Sequence, residues 1–233
     1  MILRVGIDTG WKTGGALGPI FDDGSFEFIP IKEKNPGTGE MKTYGTTLGR
    51  KGKLLSTYLP PGLKDTPVHF DPEFESFTYG DPTGKRYDLL KLEKGDLLVY
   101  YAGLTPYRTR EYKEALYLIG YFTVDKIIDI STLSEAEITR CREMYPNNAH
   151  WNRRQVLNDL VVAVGDPEKS RLLDKAVLLS RRSEDSAGNP LKVVSRRMEQ
   201  LLGISGSIQR SKPVRTIRDE KNLANLKQIL EIV

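Results

Sequence analysis

The residues best suited to binding chemistry stand together at positions 150–154, which read His-Trp-Asn-Arg-Arg. The indole of Trp151 can stack on a base, and the amide of Asn152 can hydrogen-bond to a base edge. The guanidinium groups of Arg153 and Arg154 can each hold a phosphate through two parallel hydrogen bonds. A helix start after the preceding Pro-Asn-Asn turn, with Trp151 in the core, explains the same residues. The segment therefore predicts either a nucleotide-binding site or a structural turn.

A second group of rings and cations is predicted at one end of a central hairpin. The apolar runs Leu97–Tyr101 and Leu116–Val124 are rich in β-branched and aromatic residues, which favours two strands. Their connection, TPYRTREYKE, carries Tyr107, Arg108 and Arg110. A buried pair of strands that ends in rings and guanidinium groups is suited to a flat, anionic ligand.

Two loops in the first half of the chain are further candidates. Glycines at positions 10, 14, 15 and 18 surround Trp11, and glycine lets the backbone approach a phosphate closely. The alternative is a turn between strands that Trp11 closes. In the run Tyr-Gly-Asp-Pro, Asp81 is suited to a turn, and Arg86 can pair with a phosphate or with Asp88 or Asp96 on the surface.

The run Gly165-Asp166-Pro167 predicts the start of a helix, with Asp166 as its N-cap and Pro167 in the first turn. Free N–H groups and the positive end of the helix dipole would then attract an anion. Ser170 and Arg171 lie in that expected first turn, so we expect them to contact a phosphate. The alternative is that Arg171 forms a salt bridge with a neighbouring carboxylate.

The elements around these candidates are read from hydrophobic patterning. Strands are expected at Ile2–Ile7, Phe26–Ile31 and Leu160–Val164. Residues 32–85 have little periodicity, and short helical or strand pieces, such as one at 47–58, are expected there. Residues 32–75 are the part of the chain that the sequence describes least.

Two helices are marked by their capping residues. Ser134 and Glu137 have the spacing of a capping box, so the helix that they open should run to about Met144. A last helix is expected after Asp219, with an apolar stripe at positions 223, 226, 230 and 233. The helices are therefore concentrated in the second half of the chain.

Charge is unevenly distributed along the 233 residues. Residues 1–149 carry 19 Lys and Arg against 21 Asp and Glu, whereas residues 150–233 carry 16 against 10. A local basic excess attracts polyanions such as nucleic acid, or is simply a solvated surface. No apolar run approaches the length of a membrane span. We therefore expect no membrane association.

Cysteine and histidine are too sparse to suggest a metal or disulfide framework. Cys141, the one cysteine, fits a reducing cytoplasm and is expected to be a packed thiol within a helix. His69 and His150 are the only histidines, and they lie far apart in the sequence. No pair has the spacing of a zinc site, so no metal ligand and no cofactor are predicted.

Four stretches resemble the nucleotide modification associated domain family, third type. They are VGIDTGW with its following glycines, YGDP with LLKLEKGDLLVYYAGL, LIGYFTV, and GDPEKSRLLDKAVLLS. The central block is also similar, more loosely, to the PUA-like superfamily with its EVE and YTH members. The resemblance implies a single α+β domain over residues 1–233, built on a PUA-like mixed β-barrel with C-terminal helices.

The resemblance also implies recognition of a nucleotide, or of a modified base in nucleic acid, in a base-modification or defence context. A metal-dependent hydrolase or transferase acting on nucleotides is the alternative, with Asp8 or Asp81 as acid, base or metal ligand, and no catalytic residue is assigned. Partner proteins of a modification system are also possible, and the oligomeric state stays open. The predicted base-binding residues are Trp11, Asp81, Tyr101, Tyr107, Trp151 and Asn152. The predicted phosphate-binding residues are Arg86, Arg108, Arg110, Arg153, Arg154, Ser170 and Arg171.

Overall fold

The structure is a computed structural model that describes residues 1–9, 13–35, 37, 41–151, 153, 158–210 and 213–232. The strands in these residues are β1 (Ile2–Arg4), β2 (Gly18–Ile20), β3 (Ile31–Lys32), β4 (Val68–His69), β5 (Thr78–Asp81), β6 (Leu97–Pro106), β7 (Ala115–Asp129), β8 (Val161–Gly165), β9 (Arg171–Leu178), β10 (Ser180–Glu184) and β11 (Pro190–Val194). The α-helices are α1 (Arg86–Leu89), α2 (Glu135–Met144), α3 (Arg196–Leu202) and α4 (Glu220–Ile229).

A curled, half-barrel sheet of seven strands forms the centre of the mixed α/β fold. Strand β6 pairs antiparallel with β7 along one edge, and with β1 and then β2, both parallel, along the other. Its first eight residues are buried without alternation, which is typical of a central strand covered on both faces. The predicted central hairpin is therefore confirmed.

The long strand β7 links two parts of the sheet. Its first half pairs with β6 and β9, and its second half pairs with β8, which in turn pairs with β5. The register shifts between Val124 and Lys126, where β8 takes over. A bulge of this kind bends a strand and increases its twist, which curls the sheet and brings β5 and β8 to one end.

The described residues form three hydrophobic clusters. The largest lies on the central sheet around Tyr100 and Phe122. A second cluster joins Ile7 and Ile29 to Tyr44, Leu55 and Leu59 in the segment between β3 and β4, and to Val68 of β4. The third packs α2 and Trp151 against β8 and the second half of β7. A cavity lies where these three clusters meet.

Two predicted helices are confirmed at their capping residues. Ser134 and Glu137 form a complete capping box at the start of α2, which ends at Met144 as expected. The Asp219 side chain accepts a hydrogen bond from the backbone N–H of Asn222 at the start of α4. Leu223, Leu226 and Leu230 pack against the main cluster, and residue 233 lies outside the described residues.

The helix predicted after Asp166 is wrong. The Asp166 side chain caps a short turn, accepting from the N–H of Glu168, and residues 171–178 then form strand β9 along β7. The segment has the apolar spacing of a helix, but the unpaired edge of β7 supplies hydrogen bonds and burial that a local pattern does not report. The expected anion site at a helix N-terminus is therefore absent at these residues.

The strand predictions are correct in part. β8 lies one residue later than expected, and β1 covers only the first half of its predicted range. In the predicted strand 26–31, Phe26 makes an isolated bridge and only Ile31 belongs to a strand. The short piece expected near 47–58 is a 3₁₀ helix at Leu55–Tyr58. No helix in the part of the chain that the structure describes is long and apolar enough to cross a membrane.

Candidate functional site

A cavity of about 730 Å³ opens where the three hydrophobic clusters meet. Phe28 and Phe74 reach it from the main cluster, Leu55 and Val68 from the second, and Trp151 from the third. Its volume lies within the range of roughly 300–1,000 Å³ that is typical of small-molecule sites. The cavity is therefore large enough for a ligand of nucleotide size.

Aromatic rings and charged groups share the walls of this cavity. The rings are Phe28, Phe70, Phe74 and Trp151, the cations are Lys42, Arg50 and Arg153, and the carboxylates are Glu27, Glu33, Glu73 and Glu75. The indole Nε1 of Trp151 is buried and has no hydrogen-bond partner among the described residues. An apolar chamber with a few polar groups at its wall is the usual form of a ligand site.

The carboxylates at the wall are largely occupied by the protein itself. Glu27 accepts the backbone N–H groups of Arg50 and Lys51, both at 2.7 Å. Glu73 accepts the N–H and hydroxyl of Ser76. Lys42 lies 5.8 Å from the centre of the Phe70 ring and has no carboxylate partner in the described part of the chain. The wall therefore offers at least one cation that an anionic ligand can use.

A buried cluster of two histidines lies directly behind one wall. The rings of His69 and His150 meet edge to face with their centres 4.7 Å apart, and the residues are only 2% and 5% exposed. Glu33 Oε2 lies 2.5 Å from His69 Nδ1. Arg153 holds Glu33 at 3.0 Å and places Nη1 3.3 Å from His150 Nδ1. The two histidines are thus joined through Glu33 and Arg153.

Asp71 completes the cluster on the opposite side of the rings. Its Oδ1 accepts the backbone N–H of Gly80 at 2.7 Å, and its Oδ2 lies 3.5 Å from His150 Nε2. His150 Nε2 is also 3.0 Å from the carbonyl oxygen of Gly80. His69, Asp71 and His150 each bring one ligand atom to within 4.8 Å of the others. Nitrogen and carboxylate donors of this kind can hold a transition metal ion.

One segment that begins with strand β4 contributes to both the cavity and the cluster. Val68, Phe70 and Pro72 line the cavity, whereas His69 and Asp71 belong to the buried cluster. Within β4, the side chains of Val68 and His69 point to opposite sides, as successive side chains of a strand do. Glu33 and Arg153 belong to both, because they line the cavity and contact the histidines.

The electrostatics of the cluster favour a charged Glu33. Burial by itself would raise the pKa of this carboxyl group, but the hydrogen bond and charge of His69 and the donors from Asn35 and Arg153 lower it well below its usual value. Glu33 is therefore an anion at neutral pH. In strand β5, burial and the neighbouring Asp81 raise the pKa of the Tyr79 hydroxyl well above its usual value.

Of the predicted site residues, the structure brings Trp151 and Arg153 to the cavity. Trp11, Asn152 and Arg154 lie outside the described residues. Asp81 is buried near the cluster, where its Oδ1 accepts the N–H of Thr83 at 2.7 Å and its Oδ2 lies 3.4 Å from Lys85 Nζ. Asp81 therefore caps a turn and forms an ion pair.

The predicted residues of the central hairpin lie elsewhere. Tyr101 is 3% exposed and donates its hydroxyl to the carbonyl oxygen of Ile208, so its ring has no free face for stacking. Tyr107 packs edge to face on Phe21 and Tyr58. Arg108 lies over the Tyr107 ring, and none of these residues lines the cavity.

The remaining predicted phosphate ligands are not gathered at the cavity either. Arg110 is exposed on the hairpin connection. Arg86 forms an ion pair with the surface carboxylate of Asp159. This is the alternative to a phosphate contact, although the partner is neither Asp88 nor Asp96. The hydroxyl of Ser170 accepts the N–H of Thr123, and Arg171 donates to the carbonyl oxygen of Leu230 at 2.6 Å. Both residues therefore make hydrogen bonds within the protein, and their contact with a phosphate stays a prediction.

Sequence reasoning missed Glu33, His69 and Asp71. His69 and Asp71 are separated from His150 by the whole central hairpin, so ligand spacing along the chain could not reveal the pair. One signal was available in His-Phe-Asp at 69–71, since alternate positions of an extended segment share a side. The lack of periodicity in residues 32–75 concealed it.

Together, the fold and the cavity describe a mixed α/β protein with a ligand-sized chamber beside a buried histidine and carboxylate cluster. A family model for nucleotide modification associated domain 3 matches residues 1–219, so the chain belongs to this family. The family links the chain to nucleotide modification. Searches of curated proteins and of solved structures give no significant match.

Proposed function

We propose that the chain binds a nucleotide, or a base of a nucleic acid, in the cavity between the segment after β3 and Trp151. The observation that carries the proposal is a cavity of about 730 Å³, to whose wall the described residues contribute four aromatic rings, in a chain whose family is associated with nucleotide modification. Rings stack on any base, whatever its sequence.

The charges at the wall favour the base and sugar over the phosphates as the buried part of the ligand. Among the described residues, four carboxylates and three cations line the cavity, so these residues would repel a fully enclosed triphosphate. Carboxylates accept hydrogen bonds from amino groups on bases and from sugar hydroxyls. Lys42 is then the cation placed to meet a phosphate, and the Trp151 indole N–H supplies a donor.

Tryptophan fluorescence provides a direct test, because the chain contains two tryptophans. In a Trp11→Phe background, Trp151 becomes the sole indole and reports on the cavity. Titration with nucleosides, nucleoside monophosphates and short single strands should quench it saturably. The absence of saturable quenching by every one of these ligands would contradict the proposal.

A matched pair of variants locates the binding. Phe70→Ala removes a cavity ring and should weaken binding by about 1–3 kcal/mol, the usual contribution of one stacked base. Tyr107→Ala removes a half-buried ring outside the cavity and should leave the affinity unchanged. Equal losses in both variants would place the ligand elsewhere.

Nucleic acid as the natural ligand is part of this proposal. It is supported by the basic excess of residues 150–233 and by exposed arginines such as Arg181 and Arg182 on β10. These residues suit contacts to the phosphate backbone, which carry no sequence information. Affinity for a single strand should therefore fall steeply with salt, whereas affinity for a nucleoside should not.

The finer description of the fold as PUA-like belongs to the same proposal. It is supported by the half-barrel curl of the sheet and by the G-D-hydrophobic strand β6 with its returning partner β7. An experimental structure with a bound base would test it, because the proposal requires the base in the cavity beside Trp151.

An enzyme acting on nucleotides is the second candidate. The observation that favours it is the contact of Glu33 and Arg153 with both the cavity and the buried histidines. Groups of this kind can move a proton or hold a metal beside a ligand. Nucleotide turnover that depends on an added divalent metal would favour the enzyme, and tight binding without turnover would favour the binding protein.

A further inference from the structure

We propose that His69, Asp71 and His150 bind a divalent first-row transition metal ion such as Zn²⁺ at a buried site behind the cavity wall. The three residues come from two segments far apart in the sequence, and they bring one ligand atom each to within 4.8 Å of one another. Imidazole nitrogen with carboxylate oxygen is a donor set that zinc, iron and nickel accept. The inference stands independently of nucleotide binding.

The spacing of the donors requires only a small contraction. Metal bonds of about 2.1 Å in a tetrahedral site put the ligand atoms about 3.4 Å apart. Asp71 Oδ2 and His150 Nε2 are already separated by 3.5 Å. Each of the three residues has one ligand atom within 4.8 Å of those of the other two, so side-chain shifts of about 1 Å bring the set to metal-binding distance.

The surrounding hydrogen bonds direct two of the three ligands. Glu33 accepts from His69 Nδ1 at 2.5 Å, which leaves Nε2 of that ring as the ligand atom. A carboxylate behind a metal-binding histidine is the common arrangement in protein metal sites. Asp71 gives Oδ1 to the backbone N–H of Gly80, so Oδ2 remains for the metal.

His150 must change its tautomer when the metal binds. Arg153 can only donate, so its contact with His150 Nδ1 makes that nitrogen an acceptor and puts the proton on Nε2, where it faces the Gly80 carbonyl. A metal at Nε2 moves this proton to Nδ1. The Gly80 oxygen, 3.0 Å from Nε2, is then freed as a further oxygen donor. The contact between Arg153 and His150 Nδ1 is lost, because both nitrogens then carry protons, and Arg153 keeps its bond to Glu33.

The burial of the cluster points to a closed site. His69 and His150 are almost completely buried, and neither lines the cavity, although residues on both sides of each do. A metal here would join the segment that carries β4 to the loop before Arg153. It would thereby fix the wall that carries Phe70 and Trp151.

Nuclear magnetic resonance of labelled histidines tests the proposal, because His69 and His150 are the only imidazoles in the chain. The protein is dialysed against a chelator in a Cys141→Ser background, which removes the sole thiol, and titrated with Zn²⁺. We expect one ion per chain, shifted ring nitrogens of both histidines, and a proton that moves from Nε2 to Nδ1 on His150. Unchanged ring resonances at saturating Zn²⁺ would overturn the proposal.

Two carboxylate variants give a matched comparison. Asp71→Asn removes a ligand and should weaken Zn²⁺ binding at least tenfold, and Glu33→Gln, which loses the carboxylate behind His69, should weaken it about 10–100-fold. Asp81→Asn, a buried carboxylate that also accepts a backbone N–H, should leave the affinity unchanged. The same affinity in the Asp71 and Asp81 variants would exclude this site.

A measurement on the folded wild-type chain keeps the test independent of how the variants fold. The thermal midpoint should rise with Zn²⁺ concentration, because the ion binds the native state. Mg²⁺, which prefers oxygen ligands, should not raise it at the same concentrations. An equal rise with both ions, or none with Zn²⁺, would contradict a site made of imidazoles.

Discussion

Replacing Glu33 by glutamine should destabilise the protein strongly, because this one carboxylate connects three parts of the fold. Its two oxygens accept hydrogen bonds from His69, from Arg153 and from the backbone N–H groups of Lys34 and Asn35. Glutamine keeps the size of the side chain but has one acceptor oxygen and no charge. The substitution therefore leaves the Arg153 guanidinium without its anion.

The size of the effect follows from the burial of the pair. Removing one partner of a buried ion pair costs about 3–5 kcal/mol. The Glu33 side chain is 2% exposed and that of Arg153 is 15% exposed, so some solvent reaches the arginine and the lower end, about 3 kcal/mol, is expected. In a chain of this length that corresponds to a fall of roughly 6–12 °C in the melting temperature.

Urea unfolding of a double-mutant cycle measures this interaction directly. Glu33→Gln, Arg153→Met and the double variant are compared, and the double variant should lose clearly less than the sum of the two single losses. Asp174→Asn is the control, because Asp174 pairs with Arg50 but its side chain is 93% exposed, and such pairs contribute about 0–1 kcal/mol. Additive losses, or a Glu33 effect as small as the control, would refute the role assigned to the buried pair.

Three further predictions concern buried hydroxyls, a helix cap and the thiol. In urea unfolding, Tyr100→Phe should be neutral or stabilising, because the buried Tyr100 hydroxyl has no hydrogen-bond partner among the described residues. Tyr44→Phe should cost about 1 kcal/mol, since the Tyr44 hydroxyl donates to a backbone carbonyl at 2.8 Å. A larger loss of stability at Tyr100 than at Tyr44 would show that the Tyr100 hydroxyl is satisfied. Ser134→Ala removes the capping box of α2 and should cost about 1 kcal/mol, with a smaller loss for Ser134→Asp, which can still cap. Cys141 should react slowly with iodoacetamide at neutral pH and faster as the pH rises, because burial raises the pKa of its thiol. Rapid alkylation at pH 7 would contradict the raised pKa.

Local signals in the sequence were sufficient where an element depends on its own residues. The capping box at Ser134 and the N-cap at Asp219 predicted where α2 and α4 begin, because the side chain and the backbone N–H that it caps lie three residues apart. The central hairpin was equally clear, since a continuous apolar run such as β6 is stable only when it is covered on both faces.

Local signals were insufficient where a partner from elsewhere decided the outcome. Residues 171–178 have an apolar pattern that fits a helix, but the open edge of β7 makes them a strand. The segment between β3 and β4 has almost no periodicity, yet it forms its own cluster around Tyr44 and supplies much of the cavity wall. Its order comes from packing against other segments.

The sequence by itself determined the family, the central hairpin, two of the helices, and Trp151 and Arg153 as candidate binding residues, both of which line the cavity. Tertiary structure alone decided that His69 and Asp71 meet His150, that Arg108 lies over the Tyr107 ring, and that Arg171 donates to the Leu230 carbonyl oxygen. The physical reason is distance along the chain. Hydrogen bonds within a turn can be read from neighbouring residues, whereas a cluster assembled from β4 and a loop beyond the central hairpin exists only after the sheet has curled and brought them together.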